Sequence, residues 1–499
     1  MKLLPKSNLN NLYLKSFIRC KRKAWLDFKG NKSLKTWSPH KAIEIINQHK
    51  IFYKLSNGDL YAGLKACEIG SKGVIGLKIK DISVQNINAG TNPQLLVKTS
   101  GESKWGKYSY IPAVYKLGHR TTKEHLLDLA FSAIVLESFQ ESEIKEGLVI
   151  SNFANKINIE RINLNKKLRQ KVLNIFLSLN RSLEGLMPDI TEDRKKCALC
   201  VWKNFCDKEA QNNGCLTDID GIGSKTSLLL KSNGINNIKE LTSYSKFELG
   251  DKLSKFNDKK YEKASQFIKQ AESYISGKPF CIFEGDNLLN LLSKKDSGFF
   301  VFDIESNPDE KHDFLYGIIK TNSLFEKIED DFYEPILNLK KGNKESYKKI
   351  MGKIFSTKDW PILHYGETEK IAIIYIAKEL NYNFKEIELL KSRFIDLHNL
   401  IRKTWILPLK NYSLKTVANW IGFEWKQNQV SGSKALYWWI QYQITKNDLF
   451  LKKIIKYNRD DCIATLYIAK WLIKNQTILN QRKLEPTDSS TVTLPKNPE

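Results

Sequence analysis

The hydrophobic pattern of this chain has a strand-like period in one segment of its C-terminal half and a helix-like period in another. An unbroken apolar run at 299–302 leads directly into Asp303 and Glu305. In a strand, side chains two residues apart point to the same face. Segment 444–475 contains no proline or glycine, and its apolar residues recur at helical spacing. We therefore predict a buried strand that ends in two neighbouring carboxylates and, far downstream, a long helix.

The predicted helix carries Tyr457 and Asp461, which are four residues apart and therefore share one helix face. Between strand and helix lies the segment ILHYGETEK, in which Glu369 is a third candidate acid and Glu367 is its rival. Carboxylates are hard oxygen ligands suited to Mg²⁺ or Mn²⁺. Taken singly, each piece is typical of a solvated acid or a core tyrosine. Their order along one segment predicts a metal-dependent nuclease site.

These pieces resemble the motifs of the DEDD exonucleases of the tyrosine subtype. The stretches between them, including FIDL at 394–397 and NYSLK at 411–415, are similar to the YprB-type RNase H-like family over residues 281–475. The family has Asp where this chain has Glu369, which puts the metal geometry in question. Asp396 is an alternative fourth acid, although a structural role is favoured for it.

The resemblance implies an active site of four carboxylates that gather two Mg²⁺ or Mn²⁺ ions about 4 Å apart. In such sites one ion activates water and the other stabilises the leaving 3′ oxygen. The implied catalytic residues are Asp303, Glu305, Glu369, Tyr457 and Asp461. Three of them, Asp303, Glu305 and Asp461, are the firmest metal ligands, and Tyr457 would orient the attacking water.

Composition bounds the partners of the chain. Its 499 residues suffice for two to four domains, and 41% hydrophobic content suffices for real cores. A net charge of +25 favours a polyanion, with nucleic acid as the natural candidate. Part of that charge has another explanation, nucleotide-composition bias, because the chain is rich in Lys, Asn and Ile throughout. No long uncharged apolar span or signal-peptide core is evident, so we expect a cytoplasmic protein with no membrane partner.

Four of the eight cysteines form a candidate metal-binding set. Cys197, Cys200 and Cys206 are closely spaced, and Cys20 lies in a predicted basic aromatic helix at 12–28. The combination resembles RecB-type nuclease domains that carry an iron–sulfur cluster. The resemblance implies a [4Fe–4S] cluster held by these four thiolates. Zinc is the runner-up, and Cys215 could then substitute as a ligand.

The nuclease centre of this RecB-like region is predicted to be degenerate. Segment 95–137 resembles the PD-(D/E)xK core, in which two acids hold metal and a lysine steadies the nucleophile. Lys116 is present, but Val114 occupies one acid position. Ser103 or its neighbours stand where the other Asp is expected, with Glu102 as a substitute. We therefore predict an inactive nuclease fold that is kept for binding.

A Gly-rich turn in the middle of the chain predicts a helix-hairpin-helix. Gly221 and Gly223 lie between apolar helical segments, Lys225 follows, and a second turn contains Gly234. Glycines let the amides at a helix start approach a phosphate closely, and such contacts hold the backbone without reading bases. A plain helix–turn–helix packing unit has the same pattern.

Together these features resemble RecB-family nucleases, and they predict an α/β multidomain protein. The expected parts are a RecB-like α/β iron–sulfur domain, a small all-α helix-hairpin-helix, an RNase H-like α/β exonuclease domain and a disordered tail, at 1–212, 213–280, 281–475 and 476–499. The expected function is a metal-dependent 3′→5′ exonuclease on single-stranded ends, DNA before RNA, in repair or recombination, with a helicase as a possible partner. A non-catalytic nucleic-acid-binding scaffold and an exoribonuclease are the alternatives.

Overall fold

The structure is a computed structural model that describes residues 8–118, 120–153, 156–254, 263–282, 298–322, 332–357, 359–427 and 430–484. It divides into two compact units, Met1–Glu209 and Ala210–Glu499. Each unit combines helices with β-sheet. The predicted mixed α/β class is therefore confirmed.

The first unit contains a six-stranded sheet in the order β2-β3-β6-β7-β8-β9 and a three-stranded sheet in the order β1-β5-β4. Its strands are β1 (Leu9–Asn10), β2 (Leu60–Ala62), β3 (Gly73–Ile75), β4 (Ile79–Val84), β5 (Ile87–Thr91), β6 (Leu95–Ser103), β7 (Gly106–Lys116), β8 (Glu146–Phe153) and β9 (Lys156–Asn163). Its helices are α1 (Asn11–Arg19), α2 (Lys21–Lys29), α3 (Pro39–Leu55), α4 (Leu64–Glu68), α5 (Lys123–Gln140) and α6 (Lys166–Glu184), and α7 (Lys203–Asn212) begins in it. Helix α5 contributes many residues to the core.

The single helix predicted at 12–28 is wrong, because the structure breaks it into two helices at Cys20. Cys20 is extended, with φ −161° and ψ 122°. It ends α1 and precedes α2. Helical periodicity continues through the segment, so the apolar pattern alone could not reveal the break.

The pairing of β6 with β7 rules out the residues suggested for the missing acid in the first unit. Ser103 pairs with Gly106 at the hairpin end of the two strands. Lys116 is at the other end of β7, about 30 Å away at the rise of a strand. Glu102 and Ser103 therefore lie too far from Lys116 to complete a metal site with it. The position of the other acid is occupied by Val114, which is buried in the hydrophobic core.

The second unit contains a five-stranded sheet in the order β13-β12-β11-β14-β15 and a two-stranded sheet of β10 and β16. Its strands are β10 (Phe280–Cys281), β11 (Phe299–Asn307), β12 (His312–Thr321), β13 (Tyr333–Leu337), β14 (Ile362–His364), β15 (Phe394–Asp396) and β16 (Trp405–Ile406). Strand β11 pairs antiparallel with β12 and parallel with β14. The predicted strand at 299–302 thus lies at the centre of the sheet.

Helices flank this sheet and form the small segment before it. They are α8 (Ser224–Ser232), α9 (Ile238–Leu241), α10 (Lys246–Ser254), α11 (Ala264–Ser276), α12 (Lys344–Phe355), α13 (Thr368–Glu379), α14 (Phe384–Ser392), α15 (Leu397–Thr404), α16 (Leu414–Trp420), α17 (Gly432–Thr445) and α18 (Asp448–Leu484). The predicted disordered tail is wrong for 476–484, where α18 continues, because QTILNQRKL contains no helix breaker. The rest of that predicted tail lies outside the described residues.

Strand β11 separates two hydrophobic cores. Phe300 and Phe302 pack into the core on one face of the sheet. Phe299 and Val301 pack into the core on the other face, which also contains residues of α18. The alternation has a period of two, as expected for a strand buried on both faces. Within the described part of the chain, no helix has the length and apolarity needed to cross a membrane.

Candidate metal centre

Strand β11 directs both of its acids towards α18. Asp303 and Glu305 continue the face of the sheet that begins with Phe299 and Val301. Glu305 is buried, and Asp303 is partly exposed. The apolar run is thus what places two carboxylates beside the long helix.

Helix α18 supplies the third carboxylate. Asp461 and Tyr457 are buried on its sheet-facing side, one turn apart. Carboxylate oxygens of Asp303, Glu305 and Asp461 all lie within 4.8 Å of one another. Two distant segments of the sequence therefore converge on one point with the donor chemistry of a hard divalent cation.

The two candidates for the remaining acid differ sharply in position. Glu369 is buried in the first turn of α13, whereas Glu367 is exposed at the cap of that helix. The charge of Glu369 acts on Asp303 and Glu305, yet Glu369 is not one of the three residues whose oxygens lie within 4.8 Å. The geometry favours Glu369 over Glu367 and leaves it at the edge of the cluster.

Asp396 has a structural role. One of its carboxylate oxygens accepts hydrogen bonds from the backbone amides of Gly366 at 3.0 Å and His398 at 2.9 Å. It caps the start of α15 in this way. These hydrogen bonds explain why an acid is present at this position, and they agree with the structural role favoured from the sequence.

Burial and mutual repulsion make the carboxylate cluster costly without a cation. Burial, followed by the charge of Asp461, raises the pKa of Asp303 and of Glu305 well above their usual values. Burial also raises the pKa of Asp461 to about 7, although hydrogen bonds from Trp425 and Tyr457 act in the opposite direction. Like charges held together in a buried site are typical of functional centres.

Tyr457 is tied directly to the cluster. Its hydroxyl is hydrogen-bonded to Asp461, and burial together with the neighbouring carboxylates raises the pKa of the phenol well above its usual value. The hydroxyl therefore stays protonated at neutral pH and can donate a hydrogen bond at the cluster. This is the placement expected from the sequence.

Two neutral donors near the cluster were missed by the sequence reasoning. Trp425 Nε1 donates to Asp461 Oδ1 at 2.6 Å, and Asn458 Nδ2 donates to Asp303 Oδ2 at 2.7 Å. A usable signal was the position of Asn458, one residue after Tyr457 in the motif. No comparable signal marks Trp425, because it precedes the long helix in a loop.

Comparison with known proteins supports this part of the chain. Residues 300–473 match a family model described as RNase H superfamily. The C-terminal domain is RNase H-like. Such a domain is consistent with nuclease activity and with the use of divalent metals, and the three converging carboxylates lie within the matched region. No curated protein matches the chain.

In the first unit, the four predicted cysteine ligands line one cavity. Cys20 lies at the break between α1 and α2, and Cys197, Cys200 and Cys206 lie in and before α7. Burial and neighbouring thiols raise the pKa of Cys197. For the described residues, no three of these sulfurs approach within 4.8 Å of one another. Cys215, the alternative ligand, belongs to the second unit.

The glycine turn in the second unit leaves its backbone accessible. Gly221 has φ +86°, which favours glycine. Gly223 precedes α8 as its N-cap residue. Both glycines and Lys225 are exposed, whereas Ile222 between them is buried. The amides at the start of α8 are therefore presented beside a lysine.

Proposed function

We propose that this protein is a metal-dependent 3′→5′ exonuclease that acts on single-stranded nucleic-acid ends, with DNA favoured over RNA. The observation that carries the proposal is the convergence of Asp303, Glu305 and Asp461 inside an RNase H-like domain, with the Tyr457 hydroxyl hydrogen-bonded to the same cluster. Repair or recombination, with a helicase partner, is the setting that the sequence resemblance suggests.

Each residue has a distinct task in this proposal. Divalent ions, when bound by the three carboxylates, would neutralise the phosphate and lower the pKa of water. Trp425 and Tyr457 donate hydrogen bonds to Asp461, so the carboxylate is oriented before substrate binds. The Tyr457 hydroxyl remains a donor at neutral pH and positions the attacking water.

We also propose a [4Fe–4S] cluster at the four cysteines of the first unit. Four thiolates are the ligand set that such a cluster needs, and all four of these cysteines line one cavity. Arg22, which is paired with Glu209 and hydrogen-bonded to Cys206, offers positive charge there. The cluster would link residue 20 to residues 197–206, and iron and sulfide analysis of the purified protein tests it.

Two further surfaces support contact with nucleic acid. The accessible amides of Gly221 and Gly223 suit the backbone phosphates of a single strand or duplex. In the first unit, a cleft of about 610 Å³ contains more cations than acids. The cations that line it are Lys15, Arg19, Lys23, Lys32, Lys35 and Lys41. A cationic groove of this kind suits a polyanionic strand.

A non-catalytic scaffold is the second candidate. The specific observation in its favour is that Glu369 stands outside the tight group of three carboxylates. A site with fewer ligands would hold metal less firmly. The exoribonuclease alternative differs only in the polymer and is decided by the same assay.

The decisive experiment is a cleavage assay on 3′- and 5′-labelled single-stranded DNA and RNA with Mg²⁺ or Mn²⁺. We expect stepwise shortening from the 3′ end of DNA, and no product with Asp303→Ala. The matched pair Glu369→Gln and Glu367→Gln removes one charge each from the start of the same helix. Only the Glu369 variant should lose activity, because Glu367 is exposed.

Each other result has a clear meaning. Shortening of RNA alone would make the protein an exoribonuclease. Tight binding of both polymers without metal-dependent cleavage would favour the scaffold. Cleavage that survives in Asp303→Ala would place the active centre elsewhere.

A further inference from the structure

Asn458 stands next to Tyr457 on α18, yet the proposed reaction does not use it. We propose that Asn458 is a positioning residue that fixes the orientation of Asp303 for metal binding. This inference rests on the proposed metal centre. It adds a part that the sequence motif does not include.

Both polar atoms of the Asn458 side chain are hydrogen-bonded. Its Nδ2 donates to Asp303 Oδ2 at 2.7 Å, and its Oδ1 accepts from the Tyr333 hydroxyl at 2.8 Å. The side chain is fully buried. A buried amide with both ends satisfied has little freedom to rotate.

A glycine in the sheet makes room for this amide. Gly317 of β12 lies directly opposite Asp303 in the pairing of β11 with β12. A Cβ at Gly317 would lie 1.8 Å from Asn458 Oδ1 and 2.9 Å from the Tyr333 ring. Asn458 therefore occupies the space that a side chain at position 317 would fill.

Glycine in the middle of a strand weakens it and marks a close approach. Gly317 has φ outside the left-handed region, so its backbone does not require glycine. One turn further along α18, Cys462 also contacts this position, with its sulfur 3.7 Å from Gly317 O. The helix therefore packs onto the sheet at Gly317, and steric room is the reason for the residue there.

The orientation of the Asn458 amide favours the ionised form of Asp303, which is the form that binds metal. With Asp303 ionised, only the N–H end of Asn458 can face it, because two oxygens would repel. The bond engages Oδ2 and does not involve Oδ1, the other oxygen with which Asp303 can bind a cation. The neutral donor orients the acid without adding a positive charge that would compete with the metal.

Partners of this kind typically change metal affinity by about 10–100-fold when they are removed. Asn458→Leu removes the amide and keeps the number and branching of the heavy atoms in the side chain. We therefore expect Mn²⁺ to bind at least about tenfold more weakly to Asn458→Leu. The metal requirement for cleavage should rise by a similar factor, while KM for the oligonucleotide stays close to that of the wild type.

The primary readout is Mn²⁺ binding, measured by calorimetry on the full-length protein without substrate. Asn475→Leu is the matched control, because Asn475 is a buried asparagine on the same helix, about 25 Å away along its axis. It donates to the backbone oxygen of Trp471. We expect it to lose stability without losing metal affinity.

Two further variants test the arrangement if Asn458→Leu does not fold. Tyr333→Phe removes only the hydroxyl that holds Asn458, and Gly317→Ala fills the space that Asn458 needs. Both should weaken Mn²⁺ binding. The double variant Gly317→Ala with Asn458→Ala relieves the clash, so it should recover thermal stability over Gly317→Ala alone but not metal affinity.

The outcomes separate this inference from the proposed function. Wild-type protein that binds no Mn²⁺ at the cluster would overturn the metal centre itself. Wild-type binding that is unchanged in Asn458→Leu, or in Tyr333→Phe and Gly317→Ala, would overturn the positioning role alone. Equal loss of affinity in Asn475→Leu would also overturn it, because the effect would then come from stability.

Discussion

Each acid of the cluster at Asp303, Glu305 and Asp461 lowers the stability of the metal-free protein. Burial and neighbouring charge raise their pKa values, which means that the ionised forms are disfavoured in the folded state. Trp425 and Tyr457 offset part of this cost at Asp461. Such strain is tolerated where a function requires it.

Replacement of Asp461 by Asn should separate function from stability. We expect Asp461→Asn to abolish cleavage and leave oligonucleotide binding intact. Without metal, at pH 8, its melting temperature should rise by about 2–4 °C, or roughly 1 kcal/mol, because a buried like charge is removed. Differential scanning calorimetry and a binding assay measure both effects. Equal loss of cleavage and binding would contradict the role assigned to Asp461.

The acid beside it provides a control for this substitution. Asp460 is also buried, but it accepts a hydrogen bond from the Lys426 backbone amide at 3.0 Å and lies outside the group of three. Asp460→Asn makes the same chemical change one residue away. It should leave cleavage unchanged.

Metal binding should depend on pH in a direction set by the raised pKa values. Asp461, with a pKa of about 7, is largely protonated below pH 7, so a proton must leave when metal binds. Mn²⁺ affinity should therefore fall by about tenfold per pH unit below 7 for each proton released. Calorimetry in buffers with different ionisation enthalpies counts the protons. An affinity that is constant from pH 5 to 8 would contradict the raised pKa.

The same shifts determine how pH affects the metal-free fold. An acid whose folded pKa is raised binds more protons in the native state than in the unfolded state. Asp461 therefore destabilises the fold progressively as the pH rises from about 4, the ordinary value of a carboxyl group, to about 7, and the raised pKa values of Asp303 and Glu305 act in the same direction. Bound metal should remove most of this loss.

Among the elements, the pair α1 and α2 shows how a local break creates a site. The break at Cys20 directs a thiol into the cavity shared with Cys197, Cys200 and Cys206. Asp27 anchors α2 beside this cavity. Trp202 Nε1 donates a hydrogen bond to the Asp27 carboxylate at 2.9 Å, and Lys35 forms an ion pair with that carboxylate at 2.9 Å.

Asp27→Asn should destabilise the first unit. Burial alone would raise the pKa of Asp27, but its contacts with Lys23, Lys35 and Trp202 outweigh burial and lower it. Loss of the charge leaves these donors poorly paired and should cost roughly 3 kcal/mol. Urea unfolding followed by tryptophan fluorescence measures the change.

The direction of the pH effect distinguishes this explanation from general damage. Because the folded pKa of Asp27 is lowered, its contribution is present above about pH 4 and is lost as the pH falls below that value. The difference between wild type and Asp27→Asn should therefore shrink in acid. Glu143→Gln, in an exposed ion pair with Lys145, is the control and should change stability by less than about 1 kcal/mol.

Over the chain as a whole, positive charge is the dominant electrostatic feature. The net charge of +25 predicts strong, salt-sensitive association with a polyanion. Within the second unit, the glycine turn and the RNase H-like domain belong to one compact body. An ion pair between the buried Asp218 and the partly exposed Lys410, at 2.6 Å, connects the two segments. A strand held at the turn would thus be held by the same body as the metal centre.

Salt titration tests the contribution of the turn. Binding of a single-stranded oligonucleotide should weaken steeply with salt, and Lys225→Ala should lower the slope of log K against log salt by about 0.7. Lys348→Ala, an exposed lysine on α12, is the charge-matched control and should leave the slope unchanged. Equal slopes for wild type and Lys225→Ala would exclude a phosphate contact at this lysine.

Local periodicity was enough to predict the main parts of the candidate site. A period of two placed Asp303 and Glu305 on one strand face, and a spacing of four placed Tyr457 and Asp461 on one helix face. The RNase H-like domain expected from those motifs is confirmed. The two placements succeeded because the local geometry of a strand or a helix fixes which neighbouring residues share a face, whereas the domain was expected from the family resemblance.

Tertiary structure alone decided the features that depend on pairing between distant segments. Packing of α18 onto β11 and β12 brings Asn458 into the space that Gly317 leaves opposite Asp303. Packing of α13 buries Glu369 and leaves Glu367 exposed. The break at Cys20 is likewise invisible in a helical pattern that continues across it. Helix packing is determined by contacts between side chains far apart in sequence, which local patterns do not encode.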